Sequence, residues 1–159
     1  MPVLLALLAA QAATVAAQAD VPTAPTVVAH VGDCMAATNA AGIDFDLLTG
    51  RGWSRSDVRI SGGSGPQMAF FTKAGDLTVL GTIQAGARVN DCVVISPVGD
   101  PTGIEAVRAA LDSALAVERT SPTETETIWI TTGHRVALAR MSSAQMPGVR
   151  VTVRAAGRE

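Results

Sequence analysis

The amino-acid sequence predicts an α+β fold, in which one or more antiparallel sheets of about six to seven strands are packed by two main helices. Apolar residues recur at helical spacing in two segments, residues 26–39 and 101–117. Short apolar or alternating runs, separated by turn residues, fill most of the remaining chain. The two cysteines, Cys34 and Cys92, fall in a predicted helix and a predicted strand, so one disulfide completes the predicted fold.

The first residues indicate export. Residues 2–16 form an uncharged apolar run that is too short and too rich in alanine for a membrane span. Ala17-Gln18-Ala19 then matches the small-x-small pattern of signal peptidase sites, although the usual basic residues before the apolar run are missing. We therefore predict a signal peptide over residues 1–19 and a single periplasmic or secreted domain over residues 20–159. The alternative is an apolar first helix of a cytosolic protein.

The first helix of the domain is predicted over residues 26–39. Pro22 and Pro25 favour an extended segment ahead of it. Its apolar stripe consists of Val27, Val28, Val31 and Met35. A shorter helical segment is expected over residues 42–50, where Asp44 is suited to be the N-cap and Gly50 to end the helix.

Two cysteines in a small exported domain are most simply paired with each other. A bridge between Cys34 and Cys92 would tie the first helix to a central strand. The alternative is a redox pair, but the two residues form no Cys-x-x-Cys motif.

Seven strands are predicted from short apolar or alternating runs. They cover residues 58–60, 68–72, 77–83, 92–95, 127–131, 135–141 and 149–154. Gly75 favours a turn between the second and the third of these strands. In the last strand the valines alternate with Arg150 and Arg154, so the valines are expected to face the core and the arginines to face outward.

The second main helix has a clear start signal. Asp100 is a good N-cap, and Pro101 suits the first helical position because its missing amide would be unpaired there anyway. The stripe expected to lie against the sheet consists of Ile104, Val107, Leu111, Ala114 and Leu115. Asp112 lies off this stripe, with exposed Arg108 as its expected partner, so Asp112→Ala is expected to cost well under about 1 kcal/mol.

Composition argues against several classes of partner and cofactor. The 14 acidic and 12 basic residues nearly balance, so no strong field attracts nucleic acid or a membrane surface. The few aromatic residues argue against a stacking platform for single-stranded nucleic acid. No second apolar run is long enough to cross a bilayer, so no stable membrane anchor is predicted. Asp44 and Asp46 lack the further ligands of a calcium loop, and we predict no metal and no cofactor.

The motifs for catalysis are incomplete. Ser64 lies in a glycine-rich loop from Ser61 to Pro66, but a nucleophile elbow needs a helix after the serine, and a strand is predicted there. A phosphate loop would need Gly-Lys-Ser/Thr, which is absent from the sequence. His30 and His134 are the only histidines. No residue is therefore assigned as catalytic.

The sequence leaves three hypotheses about function. The leading one is a small exported cell-envelope domain that acts as a binding or accessory module, with another envelope protein as its partner. The second is a small hydrolase that uses His30 or His134. The third is an inhibitor or immunity-type protein that inserts the loop from Ser61 to Pro66 into a partner. Arg150 and Arg154 mark a candidate anion-binding face, although the charged outer face of an antiparallel sheet gives the same pattern.

Overall fold

A computed structural model describes residues 20–58, 68–85, 88–120, 125–142 and 146–157. The predicted signal peptide and the loop from Ser61 to Pro66 lie outside these residues. The described residues form the helices α1 (Ala24–Ala37), α2 (Phe45–Gly50) and α3 (Pro101–Leu115). They also form the strands β1 (Thr38–Asn39), β2 (Gly42–Ile43), β3 (Ser54–Val58), β4 (Met68–Thr72), β5 (Val79–Ala85), β6 (Arg88–Pro97), β7 (Arg119–Thr120), β8 (Glu126–Ile130), β9 (His134–Ser142) and β10 (Pro147–Ala155).

The main sheet has eight strands in the order β3-β4-β5-β6-β10-β9-β8-β7, and every neighbouring pair is antiparallel. Strands β1 and β2 form a separate two-stranded sheet. The predicted α+β class is therefore confirmed, with more strands than predicted. The additional strands β1, β2 and β7 have two residues each, which is too short for an alternating pattern to show in the sequence.

The main sheet consists of two meanders that meet in its middle. Strands β3 to β6 form the first meander, and β7 to β10 form the second. The last strands of the two meanders, β6 and β10, pair from Asp91↔Arg154 to Pro97↔Gly148. Helix α1 precedes the first meander and α3 precedes the second, so the two halves share an order of elements without sharing a repeated sequence.

All three helices pack on the same face of this sheet. Cys34 of α1 is bonded to Cys92 of β6, and the ring of Phe45 in α2 lies 5.5 Å from the ring of Phe71 in β4. Helix α3 contacts both α1 and β10. The core between the layers includes Val31, Leu48, Leu80, Val94, Val107, Leu111, Trp129, Leu138, Val149, Val151 and Val153. The inward orientation of the last three, predicted from alternation, is confirmed.

Helix α1 begins at Ala24, earlier than predicted. Thr23 is the N-cap, and its side chain accepts a hydrogen bond from the amide of Thr26. Pro25 therefore lies in the first helical turn, where a missing amide costs nothing. The prediction that Pro25 belongs to an extended segment was wrong for this reason.

The predicted disulfide between Cys34 and Cys92 is present, with 5.7 Å between the two Cα atoms. The two residues are 58 positions apart in the chain. In the chain-entropy model, closing a loop of this length stabilises the folded state by about 4 kcal/mol. The bond fixes α1 to the strand beside the middle of the sheet.

Helix α3 begins as predicted. The side chain of Asp100 accepts hydrogen bonds from the amides of Thr102 and Gly103. Ile104, Val107 and Leu111 are buried on the predicted stripe. Ala114 is exposed, so its assignment to that stripe was wrong. The helix ends when Ala116 adopts a left-handed conformation with φ of 51°.

Gly103 lets the start of α3 approach the end of β6 closely. A Cβ atom at this position would lie 2.4 Å from the carbonyl oxygen of Val98, which is a backbone atom. Any residue larger than glycine at position 103 would therefore force the start of α3 away from the preceding turn. Gly32 of α1 differs, since a Cβ atom there would have no neighbouring atom within 4 Å.

Six of the seven strand predictions were correct in place and approximate in length, and the first was displaced. Strand β4 has the predicted bounds, and Gly75 has the expected positive φ in the turn after it, at 78°. Strand β3 lies at Ser54–Val58, ahead of the predicted 58–60, and Arg59 and Ile60 lie outside the described residues. None of the described helices combines the length and the apolar character needed to cross a membrane.

Candidate functional site

Asp33 of α1 is the centre of a polar cluster beside the β4–β5 turn. Its carboxylate accepts hydrogen bonds from Arg51 Nη1 at 2.7 Å, Trp53 Nε1 at 2.9 Å and Lys73 Nζ at 3.3 Å. The Lys73 ammonium also lies over the Trp53 ring, 4.6 Å from its centroid. The cluster joins α1, the segment after α2 and the turn after β4.

The Asp33 carboxylate is held in its charged form. Burial raises its pKa, but the hydrogen bonds from Arg51, Trp53 and Lys73 together outweigh burial and leave the pKa below its ordinary value. An ionised carboxylate with three donors is poorly suited to accept a proton near neutral pH. We therefore assign Asp33 a structural role, as the residue that fixes the indole of buried Trp53.

His30 lies next to this cluster, one helical turn before Asp33. Its Nε2 is 3.1 Å from Asp76 Oδ2, and its ring meets Trp53 edge-on with 5.0 Å between centroids. Only 6% of the side chain is exposed, and Nδ1 is buried with no hydrogen-bond partner among the described residues. Burial lowers the pKa of His30, although the Asp76 carboxylate opposes this shift. The imidazole is thus neutral near pH 7 and donates from Nε2 to Asp76.

His134 lies near the end of α1. It is the first residue of β9 and is half-buried. Its Nε2 lies 2.9 Å from the carbonyl oxygen of Thr38, at the end of α1. The structure does not bring His30 and His134 together, since each belongs to a separate set of contacts.

A second tryptophan–aspartate pair lies in the other half of the fold. Asp112 of α3 accepts hydrogen bonds from Trp129 Nε1 and from Arg119 Nε, both at 2.9 Å. The hydrogen bond from Arg119 lowers the pKa of Asp112 most; burial opposes it and the bond from Trp129 adds to it. The prediction that Arg108 is the partner of Asp112 was wrong, because Arg108 pairs with Glu105 and with Thr127.

The face of the main sheet opposite the helices, which we call the open face, carries no helix among the described residues. It is built from alternate strand residues and is mostly apolar. Its apolar members are Val58, Met68, Phe70, Val79, Ile83, Val93, Ile95, Ile128, Ile130, Ala137, Ala139 and Met141. Ile83 is 40% exposed and Ile130 is 46% exposed, which is high for residues of this size.

Arg150 and Arg154, the predicted anion-binding pair, both point to the open face but have different surroundings. Arg154 binds Asp91 through two hydrogen bonds of 2.7 Å, which raise its pKa, and this pairing occupies the guanidinium. Arg150 is exposed and has no ion-pair or hydrogen-bond partner among the described residues. Arg150 alone therefore remains accessible to an anionic group.

The described residues contain no group of three His, Cys, Asp or Glu side chains that could hold a metal ion. No protein-family model, curated protein or solved structure was found to match the chain.

Sequence reasoning missed the two carboxylates that organise the polar clusters. Asp33 pairs with Lys73, which is 40 residues away, and His30 pairs with Asp76, so neither contact follows from the spacing of residues along α1. The one usable signal was Lys73, the only lysine of the chain, in a turn next to an aspartate. The position of Lys73 in a turn does not indicate which carboxylate it binds.

Proposed function

We propose that this protein is a binding module of the cell envelope and that it binds another protein through the open face. The observation that carries this proposal is the one-sided packing of the sheet. On the opposite face it leaves four large apolar side chains exposed and most of the others half-buried; the exposed ones are Val58, Ile83, Ile130 and Met141. Contiguous apolar surface of this kind is typical of sites that bind a protein or another apolar partner.

The shape of the open face favours a protein partner over a small molecule. Sites that enclose small molecules are concave and bury most of the ligand surface. A single sheet face has no opposing wall among the described residues. Seven spacings of about 4.8 Å between eight strands give a width of about 34 Å, and five-residue strands span about 17 Å. This is the scale of a protein interface of ordinary size.

Export is the other part of the proposal. The disulfide between Cys34 and Cys92 supports it, because such bonds persist mainly in oxidising compartments. N-terminal sequencing of the protein purified from its host tests the predicted cleavage after Ala19. A mature chain that begins at Asp20 is the expected result, and an intact N-terminus at Met1 or Pro2 would contradict it.

Site-specific photo-crosslinking in the host tests the binding role. A photoreactive residue at Ile83 reports on the open face, and one at Ser113, which is exposed on α3, reports on the helix side. We expect a discrete adduct with one envelope protein from Ile83 and none with that protein from Ser113. Absence of adducts from Ile83 and from Ile130 would refute binding through this face.

The hydrolase hypothesis retains one observation in its favour, the pairing of His30 with Asp76, because a carboxylate that orients a histidine is part of a catalytic triad. Ester and peptide substrates assayed with the wild type and with His30→Gln test it. Turnover by the wild type that the variant loses, with the fold retained, would favour an enzyme. The inhibitor hypothesis depends on the loop from Ser61 to Pro66, and no described contact bears on it.

A further inference from the structure

We infer that the element bound on the open face is an amphipathic helix of the partner protein and that this helix carries carboxylates next to its apolar stripe. The inference rests on the proposed function and specifies the chemistry of the partner.

Apolar side chains are concentrated on the half of the open face formed by β4, β5 and β6. The members of this apolar patch are Met68, Phe70, Val79, Ile83, Val93 and Ile95. Phe70 lies across Gly81, where a Cβ atom would be 3.8 Å from the Phe70 ring. Within the patch Ile83 is exposed, Val93 is buried and the other members are half-buried. Asp91 of β6, which is paired with Arg154, lies directly opposite Ile83 at one end of the patch, and the rest of the patch has no charged side chain between its strands.

The size of the apolar patch matches one helix. Five residues of strand extend over about 17 Å, and three strands cover about 10 Å between their outer axes. A helix with side chains is about 10–12 Å in diameter, and about 12 residues of it are about 18 Å long. The same sheet already binds helices on its other face, where α1 and α3 pack against β6 and β10.

The charge beside the apolar patch determines what kind of helix fits. Arg150 lies directly opposite Ile95 of β6, and Ile95 lies opposite Val79 of β5. Arg150 is exposed and unpaired among the described residues, whereas Arg154 is paired with Asp91 and Arg135 with Glu126. A helix covering Ile95 would bring its polar edge next to the Arg150 guanidinium. A carboxylate there forms a charge-assisted pair, and an ammonium would be repelled.

The same charge argues against a second copy of this chain as the occupant. The open face carries three arginines and two carboxylates, Asp91 and Glu126, among its described side chains. Both carboxylates already have an arginine partner. Two open faces in contact would thus bring together surfaces of like net charge and bury Arg150 without a free acidic partner, which is costly.

Two synthetic peptides test this inference with the purified protein. They are helical 16-residue peptides with the same leucine stripe, flanked by glutamate in one and by lysine in the other. Fluorescence anisotropy at low salt measures their affinities. We expect the glutamate peptide to bind at least tenfold more tightly. The protein has a formal net charge of −2, so attraction by overall charge would give the opposite preference.

Three variants test whether Arg150 and the apolar patch are responsible for the difference in peptide affinity. Arg150→Glu should reverse the preference between the peptides, and Ile95→Asp should weaken both at least tenfold. Arg55→Glu is the matched control, because it makes the same charge change on the helix-covered face, where Arg55 stacks on Phe45. It should leave the preference unchanged. Circular dichroism confirms that each variant is folded before its affinities are compared.

Several results would overturn the inference. Equal affinity for the two peptides, binding of neither, or a preference unaffected by Arg150→Glu would each refute an acidic helix as the ligand. A dimer in sedimentation experiments that Ile95→Asp dissociates would identify a second copy instead. If the crosslinks from Ile83 succeed while the peptides fail, the binding function stands and only the helix inference is wrong.

Discussion

Replacement of Asp112 by alanine tests the structural role of the tryptophan–aspartate pairs. The Trp129 indole is fully buried, and its N–H donates to Asp112 Oδ1 at 2.9 Å. Alanine leaves this donor without its partner, and an unsatisfied buried donor costs about 1–3 kcal/mol. Loss of the ion pair with half-exposed Arg119 adds less than about 1 kcal/mol. We therefore expect Asp112→Ala to lower the free energy of unfolding by about 1–4 kcal/mol.

Asp112→Asn separates these two contributions. Asparagine keeps an oxygen that accepts from Trp129 but removes the charge that pairs with Arg119. Its expected cost is below about 1 kcal/mol, the range of exposed ion pairs. Urea denaturation of both variants, followed by tryptophan fluorescence, gives the free energies of unfolding. Equal midpoints for Asp112→Ala and the wild type would refute the reasoning and support the sequence-based expectation that this position is only a solvated helix surface.

Three further predictions concern the core, the helical glycines and pH. Leu111→Ala should cost roughly 2–5 kcal/mol in denaturant unfolding, because Leu111 is fully buried between α3 and the sheet; an unchanged midpoint would mean that α3 does not dock by this face. Gly32→Ala should raise the denaturation midpoint, since alanine is favoured over glycine in helices by about 1 kcal/mol. Gly103→Ala should lower the midpoint, because the new Cβ atom would lie 2.4 Å from the carbonyl oxygen of Val98. A Gly103→Ala variant more stable than the wild type would contradict this close approach. The lowered pKa of His30 means that the unfolded chain binds a proton at this residue more readily than the folded protein does. The free energy of unfolding should therefore fall as the pH drops below about 6.5, toward the folded-state pKa. His30→Gln should flatten this part of the pH profile of stability, and an identical profile would show that another group is responsible.

Local signals in the sequence predicted the elements that depend on neighbouring residues. The Asp100–Pro101 start of α3, the Asp44 cap of α2 and the bounds of β4 all follow from side chains within a few positions. The start of α1 was misjudged because a proline looks the same in a first turn and ahead of a helix. The residue that fixes the start of α1 ahead of Pro25 is the N-cap Thr23, one residue before the helix.

The polar clusters could not be predicted because their members are distant in sequence. Asp33 and Lys73 meet only when the β4–β5 turn folds against α1, and Asp112 meets Trp129 only when α3 packs on β8. Alternation correctly placed Arg150 and Arg154 on the outer side of β10. It could not distinguish them, because the Asp91 that occupies Arg154 is 63 residues away.

The two-meander arrangement of the sheet has a consequence for how the chain folds. Within each meander every pairing joins strands that are neighbours in sequence, so these contacts close short loops and form rapidly. The pairing of β6 with β10 is the exception within the main sheet, and it joins residues 91–97 to residues 148–154. Each meander can therefore be completed as soon as its own segment of the chain is available. We expect the joining of β6 and β10 to be the slow step, reached only after nearly the whole chain is available.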